Sequence, residues 1–490
     1  MFPNAHSPSS SSSSPSDHKP DAPNASAPAS APTPADCAQL AHALGVALPP
    51  PPRPDADPAM YLRSIYAVRE RSLLVLEMAK KNHLRHFDVD MSQFATTARF
   101  VVSIIKRDYH PDYASIPPHG RWQHFDVGGR PRVDQLLATW PRSIDRHERT
   151  RRLIDLFLVS VLLDAGAGTR WQYRSKESGK VYKRSEGLAV ASLEMFKLGL
   201  FSTDPAEPCR ADGPALRALT RDQLARGLQV TVDNPLDGLD GRAALLARLG
   251  DALLHDPAVW GPDARPGNLL DYLISHPTTQ IAGVPVVPLP TLWDTLMASL
   301  SPIWPVSCTH IDGVPLGDAW PCDVLPRDPA RPSAHIVPFH KLTQWLTYSL
   351  MVPMQRLAHV HFVGTELLTG LPEYRNGGLL IDTGLLTLKD ADARRGLAHY
   401  QRNATRAGQP NCEVVPLFTA DDDVIVEWRA VTVGFLDLLR DEINRQLGVS
   451  LSLAQVLEAG TWKGGREIAE VSRPNTREPP IMILSDGTVF

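Results

Sequence analysis

After Pro58 the apolar residues recur at helical spacing, and this period constrains the fold more than any other feature of the chain. Val424, Trp428, Val431, Phe435 and Leu438 stand three and four residues apart, which lines one face of a helix. The same pattern predicts helices over 60–81, 91–107 and 146–163. Boundary signals agree with them: Gly166 follows the third segment, Ser185 and Thr220 are N-cap candidates, and Gln223 completes a capping-box pattern with Thr220. Strand signals are weaker, with short β-prone runs at 281–287, 359–363 and 481–484. The expected fold is mainly α, a helical body with a minor β component.

Residues 1–57 break this pattern. They are rich in Ser, Pro and Ala, with prolines at 49–52, and hold too few large apolar groups to offset the entropy of ordering. They are predicted to be a disordered tail, in which 37–48 reads as a helix too short to persist without packing. The remainder, 58–490, reads as one large, mainly helical domain of catalytic type. No fixed-period repeat is visible, and among the 45 prolines the stretch 321–338 marks a long loop or an internal boundary.

Composition removes several classes of function. A net charge of -4 gives no basic stripe for a phosphate backbone, so nucleic acid is not an expected partner, whereas a small or singly phosphorylated ligand is. Five scattered cysteines, none in a Cys-x-x-Cys pair, imply neither a disulfide framework nor a zinc site and suit a reducing compartment. The longest apolar run, 156–163, lies between Asp155 and Asp164 and falls short of the roughly 18 residues of a membrane span. With the first arginine at Arg53 there is no organellar presequence signal, so the expected location is the cytosol, with the nucleus also open.

The motifs narrow the chemistry further. The run 156–168 ends in Asp-Ala-Gly-Ala-Gly, but the third glycine of a dinucleotide turn is missing and 169–173 does not read as the helix that should follow. Asp164 is then either a polar helix-end residue or a carboxylate presented to a pocket. His359 and His361, with His335 and His340 near in sequence, lack a carboxylate or cysteine to complete a ligand set, so no metal is expected. No Gly-x-Ser-x-Gly elbow or Gly-Lys-Ser/Thr loop is present. In 339–350, Phe339, Leu342, Leu346 and Leu350 share one helical face while Lys341, Gln344 and Tyr348 share another, with Trp345 alongside. That polar face is a solvated surface or a ligand wall. In 371–378, Glu373 and Arg375 beside two glycines are a surface ion pair or an acid with an anion clamp, followed by the apolar run 379–381 and Asp382.

These blocks also carry a family resemblance. Arg-Trp-Gln-His-Phe at 121–125, Leu-Asp-Ala-Gly-Ala-Gly at 163–168, Arg-Ser-Glu-Gly-Leu-Ala-Val-Ala-Ser at 184–192, the segments 337–349 and 371–380, and Ser-Asp-Gly-Thr-Val-Phe at 485–490 together resemble the fourth protein of the ring-opening (URC) uracil-catabolism pathway. The resemblance spans nearly everything after Pro58 and implies a pathway with ribosylated intermediates, ribosylurea among them. A more distant likeness is to the queuosine-salvage N-glycosylases, carried by 185–192, Asp-Asn-Pro-Leu at 233–236, Phe-His-Lys-Leu-Thr-Gln at 339–344 and Pro-Glu-Tyr-Arg at 372–375. It implies a helical fold with kinship to helix-hairpin-helix glycosylases. Lys341 and Gln344 match that family, while Glu373 stands where it has an aspartate, one methylene shorter. An aspartate upstream of the lysine helix belongs to the same pattern, and Asp318 is the candidate for it.

Cleaving a ribosyl C–N bond passes through an oxocarbenium-like state, which needs a carboxylate near the anomeric carbon, a water activated by a base, and help for the departing nitrogen. The resemblance casts Asp318 or Glu373 in the catalytic role, with Asp164 on the sugar hydroxyls. Lys341 and Arg375 would hold a 5′-phosphate, and Trp122 or Trp345 would stack on a planar urea or base. Gln344, Tyr348, Glu186 in the 184–192 block and Asp382 complete the expected substrate-binding set, and the chemistry requires no cofactor. Two rivals stay open: a non-catalytic ligand-binding regulator or scaffold, whose tail would make partner contacts, and an amidohydrolase acting on the urea C–N bond.

Overall fold

A computed structural model describes residues 45–484 apart from 169, 282, 305–307 and 408–412. Most of the expected tail, most of the short helix within it, and the block 485–490 therefore lie outside the described residues. The described end of that tail, 45–57, is neither helical nor detached. Val46 and Leu48 pack on Val286 and Val363, and Pro49 accepts a hydrogen bond from the Tyr66 hydroxyl at 2.5 Å. Two apolar side chains are enough to dock an otherwise polar stretch.

Helix accounts for 55% of the described residues and the described sheets have two or three short strands each, so the class is mainly α. The helices that position the site are, in chain order, α1 (Ile65–Lys80), α2 (Phe94–Tyr109), α3 (Arg146–Leu162), α4 (Arg184–Lys197), α5 (Lys341–Ala358), α6 (Tyr374–Asp382), α7 (Asp423–Leu447) and α8 (Trp462–Ser472). The periodicity over 60–81 breaks at Ser64, which ends Pro58–Arg63 and caps α1 by accepting the Ala67 N–H. Thr220 and Gln223 form the expected capping box. Ser185 is not a cap: α4 starts at Arg184 after Lys183, and the Ser185 hydroxyl is taken by Asp164 instead.

Two apolar clusters make the core. The first surrounds α3, every residue of which from Arg152 to Leu162 is buried, and takes in α4 and most of α5. A helix buried on all sides in this way is the scaffold on which its neighbours are registered. The second joins α1, α2 and α7. Between them runs the segment leading into α5, with Phe339 in the second cluster and Leu342, Trp345 and Leu346 in the first.

The strands are local clasps. The expected 281–287 run divides into Gln280–Ile281 and Pro285–Pro288 around Gly283, whose φ is +75°. The 359–363 run keeps only His361–Val363, because His359 caps α5 in the left-handed region. His361–Val363 pairs in parallel with Pro285–Pro288. Ala319–Pro321 pairs antiparallel with Ile336–Pro338, so the proline-rich stretch between them is a loop bracketed by one small sheet. Met482–Leu484 lies parallel to Leu417–Thr419. Among the described residues no helix is long and apolar enough to cross a membrane.

That small sheet delivers Asp318, which the resemblance offered as a catalytic carboxylate. Instead it is 1% exposed and fully engaged in the protein. Its oxygens accept from Arg429 at 2.8 and 2.7 Å, from Trp320 Nε1 at 2.8 Å and from the Lys341 backbone N–H at 2.9 Å. Burial works to raise its pKa, but Arg429 and the other donors hold it down at about 2. Arg429 also donates to the Pro372 carbonyl at 3.3 Å, so one buried pair ties the start of α5 to the turn before α6. Because the folded-state value lies below the ordinary 3.8, the stabilisation is complete above that value and is lost as the pH falls toward about 2. Asp318→Asn removes the carboxylate to which Arg429 is bonded and is expected to cost ~3–5 kcal/mol at neutral pH, read as a lower urea midpoint. An unchanged midpoint would show that the pair does not organise these helices.

Candidate functional site

The loop that follows α3 is shaped by a buried arginine. Arg242 donates to the carbonyls of Leu163, Ala165 and Gly166 at 3.0, 2.6 and 2.7 Å, satisfying groups that a helix end leaves without intrahelical partners. The chain then turns through Gly168 at φ +75°, where a Cβ would collide with the Asp237 carboxylate. Asp164 is thereby turned into a cavity of about 670 Å³. It accepts from Arg121 Nη1 at 2.6 Å and from the Ser185 hydroxyl at 2.5 Å. Burial pushes its pKa up, but Arg121, His124, Ser185 and Lys341 outweigh that and keep it below the ordinary carboxylate range. Asp164 is thus a fixed anion.

Glu373 reaches the same cavity from a helix start. As the N-cap of α6 it accepts the Arg375 N–H at 2.8 Å and the Asn376 N–H at 2.6 Å. Burial dominates here and raises its pKa to about 7, against those bonds and the charge of Lys341. Lys341, at the start of α5, responds in the complementary sense: burial lowers its pKa while Glu373 and Asp164 oppose the change. Two carboxylates and an amine therefore share a poorly hydrated space, with one carboxylate ionised and the other poised near neutrality.

Aromatic rings form the adjoining wall. The ring centroids of His119 and Trp345 are 4.7 Å apart, and His124 lies 5.3 Å from both Trp345 and Trp462. His119 Nδ1 meets Glu458 Oε2 at 2.6 Å. Cations stand around the cavity in pairs: Glu186 is bonded to Arg466 at 2.6 Å, and Arg184 to Glu478 at 2.8 Å. Arg375 donates to the Arg477 carbonyl at 3.1 Å.

The structure thus brings Asp164, Glu186, Lys341, Trp345, Glu373 and Arg375 to one cavity. It does not bring the other expected residues there. Gln344 is fully buried, with its amide bonded to the Thr369 hydroxyl at 3.1 Å, and the Tyr348 hydroxyl donates to the Thr369 carbonyl at 3.0 Å. Both fix α5 against the turn before α6, so the polar helical face is largely internal bonding rather than ligand wall. Trp122 packs in the first cluster with the Arg356 guanidinium 4.0 Å over its ring, and Asp382 is held by Arg473 at 2.9 Å. His119, His124, Arg121, Trp462 and Arg466 were missed from the sequence. Arg121 and His124 stood in a quoted block, but their partners Asp164 and Ser185 lie 40 to 64 residues further along. Among the described residues no group of three His, Cys, Asp or Glu is placed to hold a metal ion.

A site built from a helix N-cap carboxylate, a buried amine and a ring-lined cavity on a helical body can now be set beside known proteins. Residues 61–490 match the family described as "Protein of unknown function (DUF1688)", and the chain belongs to it. It is 46% identical over 441 residues to "Uracil catabolism protein 4" of Lachancea kluyveri, covering 89% of this chain and 99% of that one. It is 44% identical over 435 residues to "Protein urg3" of Schizosaccharomyces pombe, covering 88% and 98%. The resemblance read from the sequence blocks to the fourth protein of the uracil pathway is therefore a family membership.

The placement of Glu373 depends on how closely α6 approaches α8. At Gly465 an added Cβ would overlap the Arg375 carbonyl oxygen, in the first turn of α6. Gly465→Ala is expected to push α6 away and cost ~1–3 kcal/mol, read by denaturant titration. An unaltered stability would mean that the two helices are not held at contact distance there.

Proposed function

We propose that the protein acts in the ring-opening catabolism of uracil and hydrolyses the N-ribosyl bond of a ribosylurea-type intermediate, free or 5′-phosphorylated. The pathway follows the name carried by a relative that matches this chain over nearly its full length. The reaction rests on one observation: two buried carboxylates line one cavity with their pKa values pushed in opposite directions, Asp164 down and Glu373 up to about 7. Paired carboxylates with divergent environments are the usual division of labour in glycoside cleavage.

In this reading the ribose lies against Asp164, whose fixed negative charge takes sugar hydroxyls and favours the positive charge that develops at the anomeric carbon. Glu373 accepts a proton from water as the water oxygen bonds to that carbon and the C–N bond breaks. Lys341 holds Glu373 in its charged form at the start of the reaction. Arg375 supplies N–H donors for a phosphate on the ribose, and Trp345 stacks on the planar leaving group. This chemistry calls for no metal or organic cofactor.

The purified protein, given ribosylurea or its 5′-phosphate, is expected to release ribose or ribose phosphate with intact urea, followed by mass spectrometry. Because Glu373 must be deprotonated to act as base, kcat/KM should rise with pH through about 7. Glu373→Gln should lose about 10²–10⁴-fold in turnover and with it that rise, while the circular dichroism spectrum is retained. Ammonia with a ribosylated remnant would instead assign the chemistry to the urea bond. Tight binding without turnover would make the protein a ligand-binding regulator.

A further inference from the structure

Protonation of the departing nitrogen is the step that neither Asp164 nor Glu373 performs in the reading above, and the ring-lined wall holds two imidazoles that could perform it. We infer that His119, oriented by Glu458, is the acid that delivers a proton to the leaving nitrogen. The inference rests on the glycosidase reading and adds to it a catalytic residue and a positioning residue.

Geometry separates the two imidazoles. His124 Nδ1 lies 3.2 Å from Arg121 Nη1, a guanidinium nitrogen that can only donate, so Nδ1 accepts and the ring proton sits on Nε2. Burial and Arg121 push the His124 pKa down to about 3, which keeps it neutral at working pH. His119 has the opposite environment. Its Nδ1 meets a carboxylate at 2.6 Å, which fixes Nδ1–H as the donor and leaves Nε2 as the nitrogen through which a proton can be passed on. The residue is 1% exposed, lines the cavity and lies with its ring centre 4.7 Å from that of Trp345, the two planes tilted by 43°; Trp345 is the ring assigned to the planar leaving group.

Glu458 sits in a π-helical turn, Leu457–Thr461, just before α8. Such turns are rare and occur frequently at functional sites. Here the side chain carried by the turn is the one that meets the cavity imidazole. The charged groups that line the cavity with His119 include Glu373 on α6, Lys341 on α5, Asp164 after α3, and Glu186 and Arg466 on α4 and α8, and His124 on the 121–125 helix lies 6.1 Å from it, ring centre to ring centre. His119 is near enough to Glu373 for its charge to act on that carboxyl.

The step balances without a further reactant. The C–N bonding pair goes to nitrogen, the Nε2 proton of the His119 imidazolium joins it, and the water oxygen bonds to the anomeric carbon as Glu373 takes the water proton. Passage of that proton from Glu373 back to His119 restores the starting state.

The test compares ribosylurea with ribosyl nitrophenylurea, whose leaving nitrogen has less need of a proton. His119→Gln is expected to lower kcat/KM on ribosylurea by about 100-fold but on the nitrophenyl compound by less than about 5-fold, whereas Glu373→Gln lowers both. Glu458→Gln, which loosens the hold on the imidazole, should reduce kcat/KM on ribosylurea about 10-fold while leaving that on the nitrophenyl compound within about 2-fold. Equal losses on both substrates in His119→Gln or in Glu458→Gln, or no loss on either, would overturn the role of His119 while leaving the glycosidase reading in place. A wild-type protein that cleaves neither compound would overturn both.

Discussion

The site depends first on a buried ion pair that lies outside it. Asp318 and Arg429 are both nearly inaccessible, and their mutual bonds extend to the Lys341 N–H on one side and the Pro372 carbonyl on the other. Lys341 and Glu373 begin different helices from different parts of the chain. Their register in the cavity is set by this crosslink together with the Thr369 bonds of Gln344 and Tyr348, and the pair sits on the Phe339 ring with the guanidinium carbon 4.0 Å from its centre. A buried pair of this kind contributes little net stability compared with apolar packing, but its direction is specific. What it adds is position.

A second buried arginine does the same for the opposite wall. Arg121 is inaccessible to solvent and joins Asp164 to the Ser160 hydroxyl and carbonyl, linking the 121–125 helix to α3. Asp164 and Glu373 therefore differ in more than degree of burial. One is neutralised by a fixed cation, and the other meets backbone N–H groups at a helix start. The same burial that leaves Asp164 ionised raises the Glu373 pKa to about 7, because guanidinium and amide dipole are unequal partners.

Much of this was legible locally and the rest was not. Helix positions followed from the spacing of apolar residues, and 371–378 showed a carboxylate and a guanidinium beside glycines because helix starts carry that composition. The N-cap role of Glu373 was within reach of the same signal. The polar face of α5 misled, since spacing places Lys341, Gln344 and Tyr348 together but cannot show that Thr369 occupies two of them. Asp318 matched a family pattern by type, yet its partner lies 111 residues away. His119 and Glu458 are 339 residues apart, and no periodicity connects them. Left-handed backbone at Arg184 and His340, each beside a helix start at the site, also has no reliable signature in residue type.

The strap 474–478 lies over the cavity and is tied down by the molecule's own cations. Arg184 donates to the carbonyls of Thr476 and Arg477 at 3.1 Å each, Arg375 donates to that of Arg477, and Glu413 receives the Asn475 and Thr476 N–H groups. An anion entering the cavity meets arginine donors already satisfied by main-chain oxygens. Where it takes these N–H groups rather than the remaining ones it displaces the strap, and occupancy and strap position are then linked quantities: a ligand that favours the displaced strap is bound more tightly whenever the strap is loosened by other means, and by the same factor. The roof of this cavity is a competing ligand for its walls.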